Sequence, residues 1–444
     1  MQNLAFSCLG FQLSRIRYSK SFYRYLSWLK KTEWWSADEI HQYQNSQILH
    51  LVKHAYNTVP FYKRWYDKEK VEIGDIRKVE DLHYLPILTK ELVRKNNKDM
   101  ISTSVGYKDR HNILTSGTTG TPIDVKFTKE GLAFQWAIWW RHKMRFGLKI
   151  SDKHLQFGAR VPVGQNVVKP PFWRKDTFLK RTYVSSYHIS EKTVRDIVSL
   201  INNESYIYVT GYPSIINEFA SIGKELDLEV FQSPTCVVTG SDALTATYKR
   251  QIGDYFGCVV TEQYGMAEFA GNMSRCENEM FHLDFECCYM ENIVNTDQNL
   301  AKIIFTGWGN YSMPFIRYEV GDMSSPTAEC TCGRNSQAIE SIVGRLEDYI
   351  LTPDGRKIIG MNQVLEYASG AREIQIVQET PEAIEFHVVP SNRFGEDDKN
   401  ALVREFERRA GFGMTVTFKV VDTIEYSSQG KKKAVVSKLG SVDR

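Results

Sequence analysis

The clearest periodic pattern in the first quarter of the chain is that of an amphipathic helix. Four apolar residues recur at i, i+3, i+4 and i+7, namely Ile48, Leu51, Val52 and Ala55. This spacing puts them on one face of a helix. Pro60 ends the helix, because proline disfavours helical geometry in the residue before it, here Val59. The stretch from position 48 to 100 is therefore predicted to be mainly helical.

After the first hundred residues the pattern changes to strand, glycine-rich loop and strand. Ile113 and Leu114 precede the loop, and Ile123–Phe127 alternates apolar and polar residues after it. Lys129–Phe146 then has the pattern of a helix, and Gly147 is a suitable terminator.

The middle of the chain alternates strands with helices. The predicted strands are Tyr206–Thr210, Cys236–Thr239 and Cys258–Thr261, and helices are predicted after Pro213 and over Thr245–Phe256. This order favours βαβ units with parallel strands. Ligands of such sheets bind at the carboxyl ends of the strands, where the turns at Gly240 and Gly265 fall.

After position 344 the pattern becomes that of a small α+β domain. Asp354-Gly355 is a hairpin-turn sequence between two apolar runs. Further strands are predicted over Ile374–Val377, Ile384–Val389 and Met414–Val421, and a helix over Asp397–Ala410. A hundred residues is a common domain size.

These patterns together predict an α/β protein in three parts. Residues 1–46 form a basic, aromatic, helical extension. Residues 47–345 form a large N-terminal domain of mixed sheets and helices. Residues 346–444 form a small, mobile α+β C-terminal domain, and the hinge lies near positions 345–348.

The N-terminal extension has an unusual composition. Aromatic and aliphatic residues interleave with six basic ones, Arg15, Arg17, Lys20, Arg24, Lys30 and Lys31. A basic aromatic helix can make peripheral contact with an anionic membrane surface. It can also pack on the body of the protein with its charges in solvent, and the pattern leaves both alternatives open.

Composition and charge restrict the class of protein. The chain has 444 residues, of which 42% are hydrophobic, as in a globular protein of several domains. The net charge of +3 is too small to indicate a nucleic-acid partner. No apolar run approaches the roughly 18–20 residues that span a bilayer, and the N-terminus lacks signal-peptide order. We therefore expect a cytoplasmic protein, in which the eight cysteines are not a secreted disulfide framework.

The strongest chemical signal is the loop Thr115–Pro122, which reads Thr-Ser-Gly-Thr-Thr-Gly-Thr-Pro. Its glycines let the backbone approach phosphate oxygens, and its N–H and hydroxyl groups can donate hydrogen bonds to them. The Gly-Lys-Ser/Thr ending of the nucleoside-triphosphatase P-loop is missing. A position between two predicted strands argues against a plain surface loop. We predict a loop that binds polyphosphate.

This loop resembles the signature of the adenylate-forming ligase superfamily, and further motifs follow in the family's order. The similar segments are Gly240–Asp242 (Gly-Ala-Glu), Tyr264–Glu268 (Tyr-Gly-x-x-Glu), Phe315–Asp322 (Arg-Tyr-x-x-Gly-Asp), Gly344–Asp348 (the Gly-Arg-x-Asp-Asp hinge) and Gly430-Lys431 (the C-terminal Gly-Lys). Many members have Lys after the loop proline, whereas Ile123 stands here, as is common in the phenylacetate-CoA ligase branch. The chain is identified as a member of the phenylacetate-CoA ligase and CapK-like branch.

The resemblance implies roles for individual residues. Lys431 would stabilise charge on the α-phosphate, Glu268 would bind Mg²⁺ and Asp322 would accept from the ribose hydroxyls. The predicted catalytic residues are Lys431, Glu268 and Arg345. The predicted nucleotide-binding residues are Thr115, Ser116, Gly117, Thr118, Thr119, Gly120, Gly240, Ser241, Asp242, Tyr264, Gly265 and Asp322.

Four cysteine and histidine residues form a candidate zinc set. They are Cys276, His282, Cys330 and Cys332. Three thiolates and one imidazole can hold zinc tetrahedrally. The pattern resembles a Cys…His…Cys-x-Cys-Gly-Arg feature in part of the branch, which implies a structural zinc. The alternative is reduced cysteines with packing roles.

The implied reaction joins a carboxylic acid to ATP, giving acyl-AMP and pyrophosphate. The C-terminal domain would then rotate about the hinge, and the acyl group would pass to the thiol of coenzyme A. CapK-like members suggest instead an amine acceptor, in an amide ligase or carboxylate-modifying enzyme of surface-polysaccharide synthesis. A nucleotide-binding protein without catalysis is the third alternative. The sequence selects neither the acid nor the oligomeric state.

Overall fold

The computed structural model describes residues 2–114, 123–158, 160–295, 300–345, 349–368, 370–424 and 433–439, and for Asn295 and Arg345 the backbone alone. The helices are α1 (Gln2–Arg17), α2 (Lys20–Thr32), α3 (Ala37–Thr58), α4 (Pro60–Lys68), α5 (Lys90–Asn96), α6 (Lys129–Arg145), α7 (Val194–Asn203), α8 (Pro213–Glu225), α9 (Ala246–Phe256) and α10 (Glu396–Ala410). The first ten strands are β1 (His111–Leu114), β2 (Asp124–Phe127), β3 (His154–Phe157), β4 (Trp173–Asp176), β5 (Arg181–Val184), β6 (Tyr208–Gly211), β7 (Cys236–Gly240), β8 (Val259–Gly265), β9 (Asn272–Arg275) and β10 (Phe281–Leu283). The others are β11 (Cys288–Asn295), β12 (Leu300–Gly307), β13 (Phe315–Ser324), β14 (Ala338–Ile339), β15 (Ile342–Arg345), β16 (Tyr349–Leu351), β17 (Lys357–Ile359), β18 (Ala371–Thr380), β19 (Ala383–Pro390), β20 (Thr415–Val420) and β21 (Val435–Ser437).

The chain divides into two compact units. The first unit contains residues 1–8, 151–262 and 343–444, and the second contains residues 9–150 and 263–342. The predicted boundaries of the N-terminal extension, the large domain and the small domain stay a prediction.

The central sheet of the first unit is mainly parallel. Its strands follow the order β8-β7-β6-β3-β5-β4. β3, β5, β6 and β7 are joined by parallel pairs, and β4 is antiparallel to β5. Strand residues such as Leu155, Val209 and Val237 share a buried core with Ile216 and Phe219 of α8. This confirms the predicted βαβ alternation.

The C-terminal part of the first unit is a four-stranded sheet with one long helix. The strand order is β20-β19-β18-β21, with an antiparallel central pair and parallel outer pairs. Phe386 of β19 and Phe406 of α10 are fully buried in its core. The predicted hairpin is confirmed, because β16 pairs with β17 across the turn at Asp354-Gly355. The α+β character predicted for this region is therefore confirmed.

Within the first unit this small sheet packs on the helices beside the central sheet. Arg372, next to the start of β18, forms ion pairs with Glu225 of α8 and with Glu191. Thr247 of α9 donates from Oγ1 to the carbonyl of Glu366 at 2.7 Å. Charged and neutral hydrogen bonds thus both join the two parts.

The second unit contains helices α2 to α6 and antiparallel sheets. α3 buries Ile48, Leu51, Val52 and Ala55, and its C-cap Val59 is extended before Pro60, as predicted. β11, β12 and β13 form an antiparallel series, and β9, β10 and β14 form another. β1 pairs with β2, as predicted, whereas the loop Thr115–Pro122 between them lies outside the described residues.

The N-terminal helix α2 packs on α6 through its apolar face. Phe22, Leu26 and Leu29 are buried, and Tyr25 and Arg24 both bind Glu130 of α6. This face therefore cannot lie on a membrane, because the protein itself covers it. Within the described ranges, none of the helices combines the length and the apolar character that a membrane span requires.

We predict that Gly211→Ala destabilises the first unit. Gly211 ends β6 with a φ of 156°, and a Cβ there would lie 2.2 Å from the carbonyl oxygen of Phe157. Overpacking of this kind costs about 1–3 kcal/mol, and a clash with backbone belongs at the upper end. Urea unfolding measures the change.

Gly164→Ala is the matched control, because a Cβ at Gly164 meets nothing within 4 Å. Equal stability of the two variants would contradict this account of β6.

Candidate functional site

Two carboxylates of the second unit, the buried Glu268 and the half-buried Asp322, are each held by a tyrosine. Tyr264, near the end of β8, donates its hydroxyl to Asp322 Oδ2 at 2.6 Å. Tyr318 of β13 donates to Glu268 Oε1 at 3.2 Å. Glu268 is the predicted magnesium ligand and Asp322 the predicted ribose partner. Both are oriented by hydrogen bonds between the Tyr-Gly-x-x-Glu motif and the Arg-Tyr-x-x-Gly-Asp motif. Gly265, the residue after Tyr264, ends β8.

Glu268 lies in surroundings that disfavour its own negative charge. Its side chain is only 6% exposed. Burial raises the pKa of the Glu268 carboxyl, and the nearby charge of Asp322 raises it further, while Lys90 and the Tyr318 hydroxyl act in the opposite direction. Two neighbouring carboxylates in a site of low solvation attract a hard divalent cation such as Mg²⁺.

Sequence reasoning missed the role of Lys90. Leu88 donates to the carbonyl of Arg317 at 2.9 Å and accepts from Glu319 at 3.0 Å, so the segment before α5 is joined to β13. Thr89 caps α5, because its side chain accepts from Leu92 N. This backbone bridge places the charge of Lys90 near Glu268. The Leu-Thr-Lys helix start was visible in the sequence, but its partner strand was not.

Arg317 anchors the same region from the other side. Its guanidinium binds both carboxylate oxygens of Glu291 at 2.9–3.1 Å and donates to the carbonyls of His83 and Leu85. Its φ is 53°, an uncommon backbone conformation for a side chain of this size. The arginine of the Arg-Tyr-x-x-Gly-Asp motif is therefore a structural anchor.

The predicted adenine segment borders a cleft in the first unit. Gly240 ends β7, Ser241 has a φ of 69°, and Asp242 Oδ1 accepts from Ala243 N at 2.9 Å. The cleft has a volume of about 80 Å³. Asp242 and Tyr248 line one side, and Asn362, Glu373 and Lys433 of the C-terminal part line the other. Mixed apolar and charged walls suit a small polar molecule.

Several predicted site residues lie outside the described part of the chain. They are Thr115, Ser116, Gly117, Thr118, Thr119 and Gly120 of the loop, Lys431, and Leu346, Glu347 and Asp348 of the hinge. Arg345 ends β15, with its side chain also outside the described part. The predicted roles of these residues stay predictions.

The four candidate zinc ligands converge in the second unit. The ligand atoms of Cys276, His282, Cys330 and Cys332 all lie within 4.8 Å of one another. Cys276 Sγ is 3.7 Å from Cys330 Sγ, and Cys332 Sγ is 3.3 Å from His282 Nε2. Zinc bonds of about 2.3 Å to sulfur and 2.0–2.1 Å to nitrogen predict tetrahedral separations of about 3.8 and 3.6 Å. The four side chains therefore fit a tetrahedral zinc ion.

The pKa shifts of His282 and Cys332 suit a metal, whereas burial and the neighbouring thiols raise the pKa of Cys330 to about 12. Burial, with the charges of Arg145 and Arg334, lowers the pKa of His282 to about 4, so its imidazole is neutral at pH 7. Burial raises the pKa of the Cys332 thiol, but the backbone N–H and guanidinium of Arg334 outweigh burial and lower it. A neutral imidazole and an accessible thiolate are the forms that bind zinc.

Arg334 connects this cluster to the N-terminal helices. Its guanidinium binds Glu33 at 2.8 Å and Glu277 at 2.9 Å and lies 4.9 Å from the ring of Trp34. Asn335 donates to the carbonyl of Trp35 at 2.8 Å. The loop that carries Cys330 and Cys332 therefore holds the turn after α2.

The chain is similar to known proteins in both sequence and fold. The CapK C-terminal domain model matches residues 350–438. CapK of Staphylococcus aureus is 23% identical over 99% of this chain and 97% of its own length. A phenylacetate-coenzyme A ligase of Thermus thermophilus is 24% identical over 71% of this chain and 72% of its own. A solved 2-hydroxyisobutyryl-CoA ligase, in the postadenylation state with an acyl-AMP, superposes with a TM-score of 0.71 at 16% identity and 92% coverage of both chains.

The chain shares its fold with this solved 2-hydroxyisobutyryl-CoA ligase. In sequence it is similar to CapK and to the phenylacetate-CoA ligases, the branch that its motifs resemble. The predicted α/β fold class is confirmed.

We predict that Glu268→Gln raises the thermal midpoint of the ligand-free protein at pH 8. The pKa of Glu268 is raised in the folded state from an ordinary value of 4.5, so its charged form is disfavoured there. The destabilisation of the folded state by this charge is absent below the pKa that Glu268 has in the unfolded state. It is complete above the pKa that Glu268 has in the folded state. The stabilisation by glutamine should therefore disappear at pH 4.

Differential scanning calorimetry at both pH values provides the measurement. Glu69→Gln is the control, because Glu69 is exposed and its removal should leave both midpoints unchanged. A lower midpoint for Glu268→Gln at pH 8 would show that the charge of Glu268 stabilises the empty site.

Proposed function

We propose that this protein activates a carboxylic acid with MgATP and then transfers the acyl group to the thiol of coenzyme A. The observation that carries the proposal is the pair of tyrosine-held carboxylates, Glu268 and Asp322, in a chain whose relatives include phenylacetate-CoA ligases. A carboxylate oxygen attacks the α-phosphorus, and the bond to the bridging oxygen breaks as pyrophosphate leaves. The thiol then attacks the acyl carbonyl, AMP leaves, and the thiol proton passes to solvent.

The described residues suit distinct parts of the first step. Glu268 would hold Mg²⁺, and the ion would supply positive charge that stabilises the charge developing on the phosphates. Lys90 adds a fixed positive charge beside Glu268. Asp322 would accept from the ribose hydroxyls, with Tyr264 fixing its rotamer. Arg345 and Lys431 are proposed to act at the hinge and on the α-phosphate. The requirement for ATP supports a cytoplasmic location.

An amine is the second candidate acceptor, which would make the protein an amide ligase. This alternative is favoured by the match to CapK over nearly the whole of both chains, whereas the phenylacetate-CoA ligase match covers 71% of this chain. The carboxylates of Asp242 and Glu373 in the cleft of the first unit would also attract a cationic amine. A substrate in surface-polysaccharide synthesis belongs to this alternative. The third alternative, a nucleotide-binding protein without catalytic activity, is the least supported. Glu268 and Asp322 are arranged in a way that suits the binding of MgATP.

A zinc ion is proposed as a structural component of the second unit. The ligand separations and the neutral His282 support zinc over unmetallated packing cysteines. Bound zinc would fix the loop of Cys330 and Cys332, and with it the position of Arg334.

We predict acid-dependent release of pyrophosphate from MgATP. A coupled assay would test aryl acetates, fatty acids, amino acids and hexuronates, with coenzyme A, with amines and without acceptor. Glu268→Gln should lower kcat/KM at least about 100-fold, since even outer-shell partners of metals account for about 10–100-fold. Asp322→Ala should raise the KM for ATP about 10-fold or more, because two hydrogen bonds to a charged group are lost.

Glu69→Gln should behave like the wild-type protein in this assay. Thioester formation would favour the ligase that uses coenzyme A, and amide formation the second alternative. Absence of pyrophosphate across the panel, with ATP still bound, would overturn both and leave a nucleotide-binding protein.

We predict one zinc ion per chain by elemental analysis, and its loss in Cys332→Ser. Loss of the zinc ion should loosen the Arg334–Glu33 contact, so the rate of backbone hydrogen exchange should rise around Glu33–Trp35. Cys258→Ser is the control, because Cys258 belongs to the first unit and is not one of the four ligands, so this change should leave the metal content unchanged. Metal-free protein with unchanged exchange at the turn would contradict the proposal.

A further inference from the structure

Positive charge is segregated at the N-terminus. Residues 1–32 contain six lysine and arginine residues and no aspartate or glutamate. Since the whole chain has a net charge of +3 and this segment carries +6, the remaining residues carry −3. A segment of one sign on an otherwise acidic protein points to an anionic partner.

The exposed side of α2 collects most of this charge. Its apolar face is buried, so the opposite face meets the solvent. The residues on that opposite face are Lys20, Tyr23, Arg24, Ser27, Lys30 and Lys31, and all six are exposed. Arg24 also contacts Glu130 of α6. Basic side chains with an exposed tyrosine are typical of the headgroup level of a membrane.

The preceding helix α1 presents apolar side chains to solvent although it is docked. Ser7 accepts from Thr177 N at 3.2 Å, and Asn3 Oδ1 accepts from Lys175 N at 3.1 Å, which fixes one side of the helix. On another side Leu4, Cys8, Phe11 and Arg15 follow one another at i, i+4, i+7 and i+11. Leu4 is 68% and Phe11 44% exposed. Exposed phenylalanine among cations has little use in binding a hydrophilic polyanion, but it can enter the acyl boundary of a bilayer.

We infer that the exposed residues of α1 from position 9 onward and the exposed face of α2, all in the second unit, form a peripheral docking surface for anionic phospholipid bilayers. Phe11 would enter the interface, and Arg15, Lys20, Lys30 and Lys31 would meet lipid phosphates. This surface contains none of the residues assigned to the candidate site, so the inference does not depend on the proposed reaction. It would hold the protein at a surface where the acid or the acceptor is attached to lipid.

The test is co-sedimentation of the full chain with vesicles of phosphatidylcholine alone and of phosphatidylcholine with 30% phosphatidylglycerol. We expect binding to the anionic vesicles, weakening as salt rises, and little binding to the neutral ones. Arg15→Glu/Lys20→Glu/Lys31→Glu should weaken binding at least about 100-fold. Phe11→Ser should also weaken it, without removing charge.

Lys68→Glu/Lys98→Glu/Lys108→Glu is the matched control, because it makes the same change in net charge at exposed residues elsewhere. It should bind the vesicles almost as the wild-type protein does. If both triple variants lost vesicle binding equally, the binding would depend only on the overall charge of the protein, and the proposed docking surface would be overturned. Binding to heparin but not to anionic vesicles would show a polyanion partner and overturn it as well. Circular dichroism and thermal midpoints would confirm that every variant is folded.

Discussion

The strand Phe315–Ser324 is the physical constraint on which the candidate site depends. Through its backbone it binds Leu88, and through Arg317 it binds Glu291. Through two of its residues it also defines the chemistry, since Tyr318 holds Glu268 and Asp322 accepts from Tyr264. A change in the register of this strand would therefore move the carboxylates and the nearby cation together. One strand can organise the site because its neighbours are bound to it by hydrogen bonds.

Buried charge gives the second unit a further set of fixed contacts. Arg141 of α6 is 3% exposed and binds Asp284 at 2.7 Å and both oxygens of Glu286. A buried pair of this kind contributes little net stability, yet breaking it is costly because the remaining charge stays unpaired. Arg145 and Arg334 meet at Glu33 in the same way. The N-terminal helices are thus held by ionic contacts that reach the cysteine cluster.

The sequence was most informative where local pattern and structure coincide. The face of α3, the parallel pair β6 and β7, and the α+β character of the C-terminal part all follow from short-range periodicity. The strands β3 to β5, β9, β10 and β14 were not predicted, because each has only two to four residues and is too short to show a period. Lys90 and Glu33 were missed for a different reason. Their partners are more than a hundred residues away, and local pattern contains no information on such contacts.

The central claim, that an acyl-adenylate forms on this chain, is tested most directly by exchange of labelled pyrophosphate into ATP without any acceptor. Because formation of acyl-AMP is reversible, the account predicts exchange that requires both Mg²⁺ and the correct acid. It also predicts that coenzyme A or an amine is unnecessary for exchange. The account would be contradicted if ATP were cleaved only in the presence of an acceptor, with ADP and phosphate as products and no label in ATP.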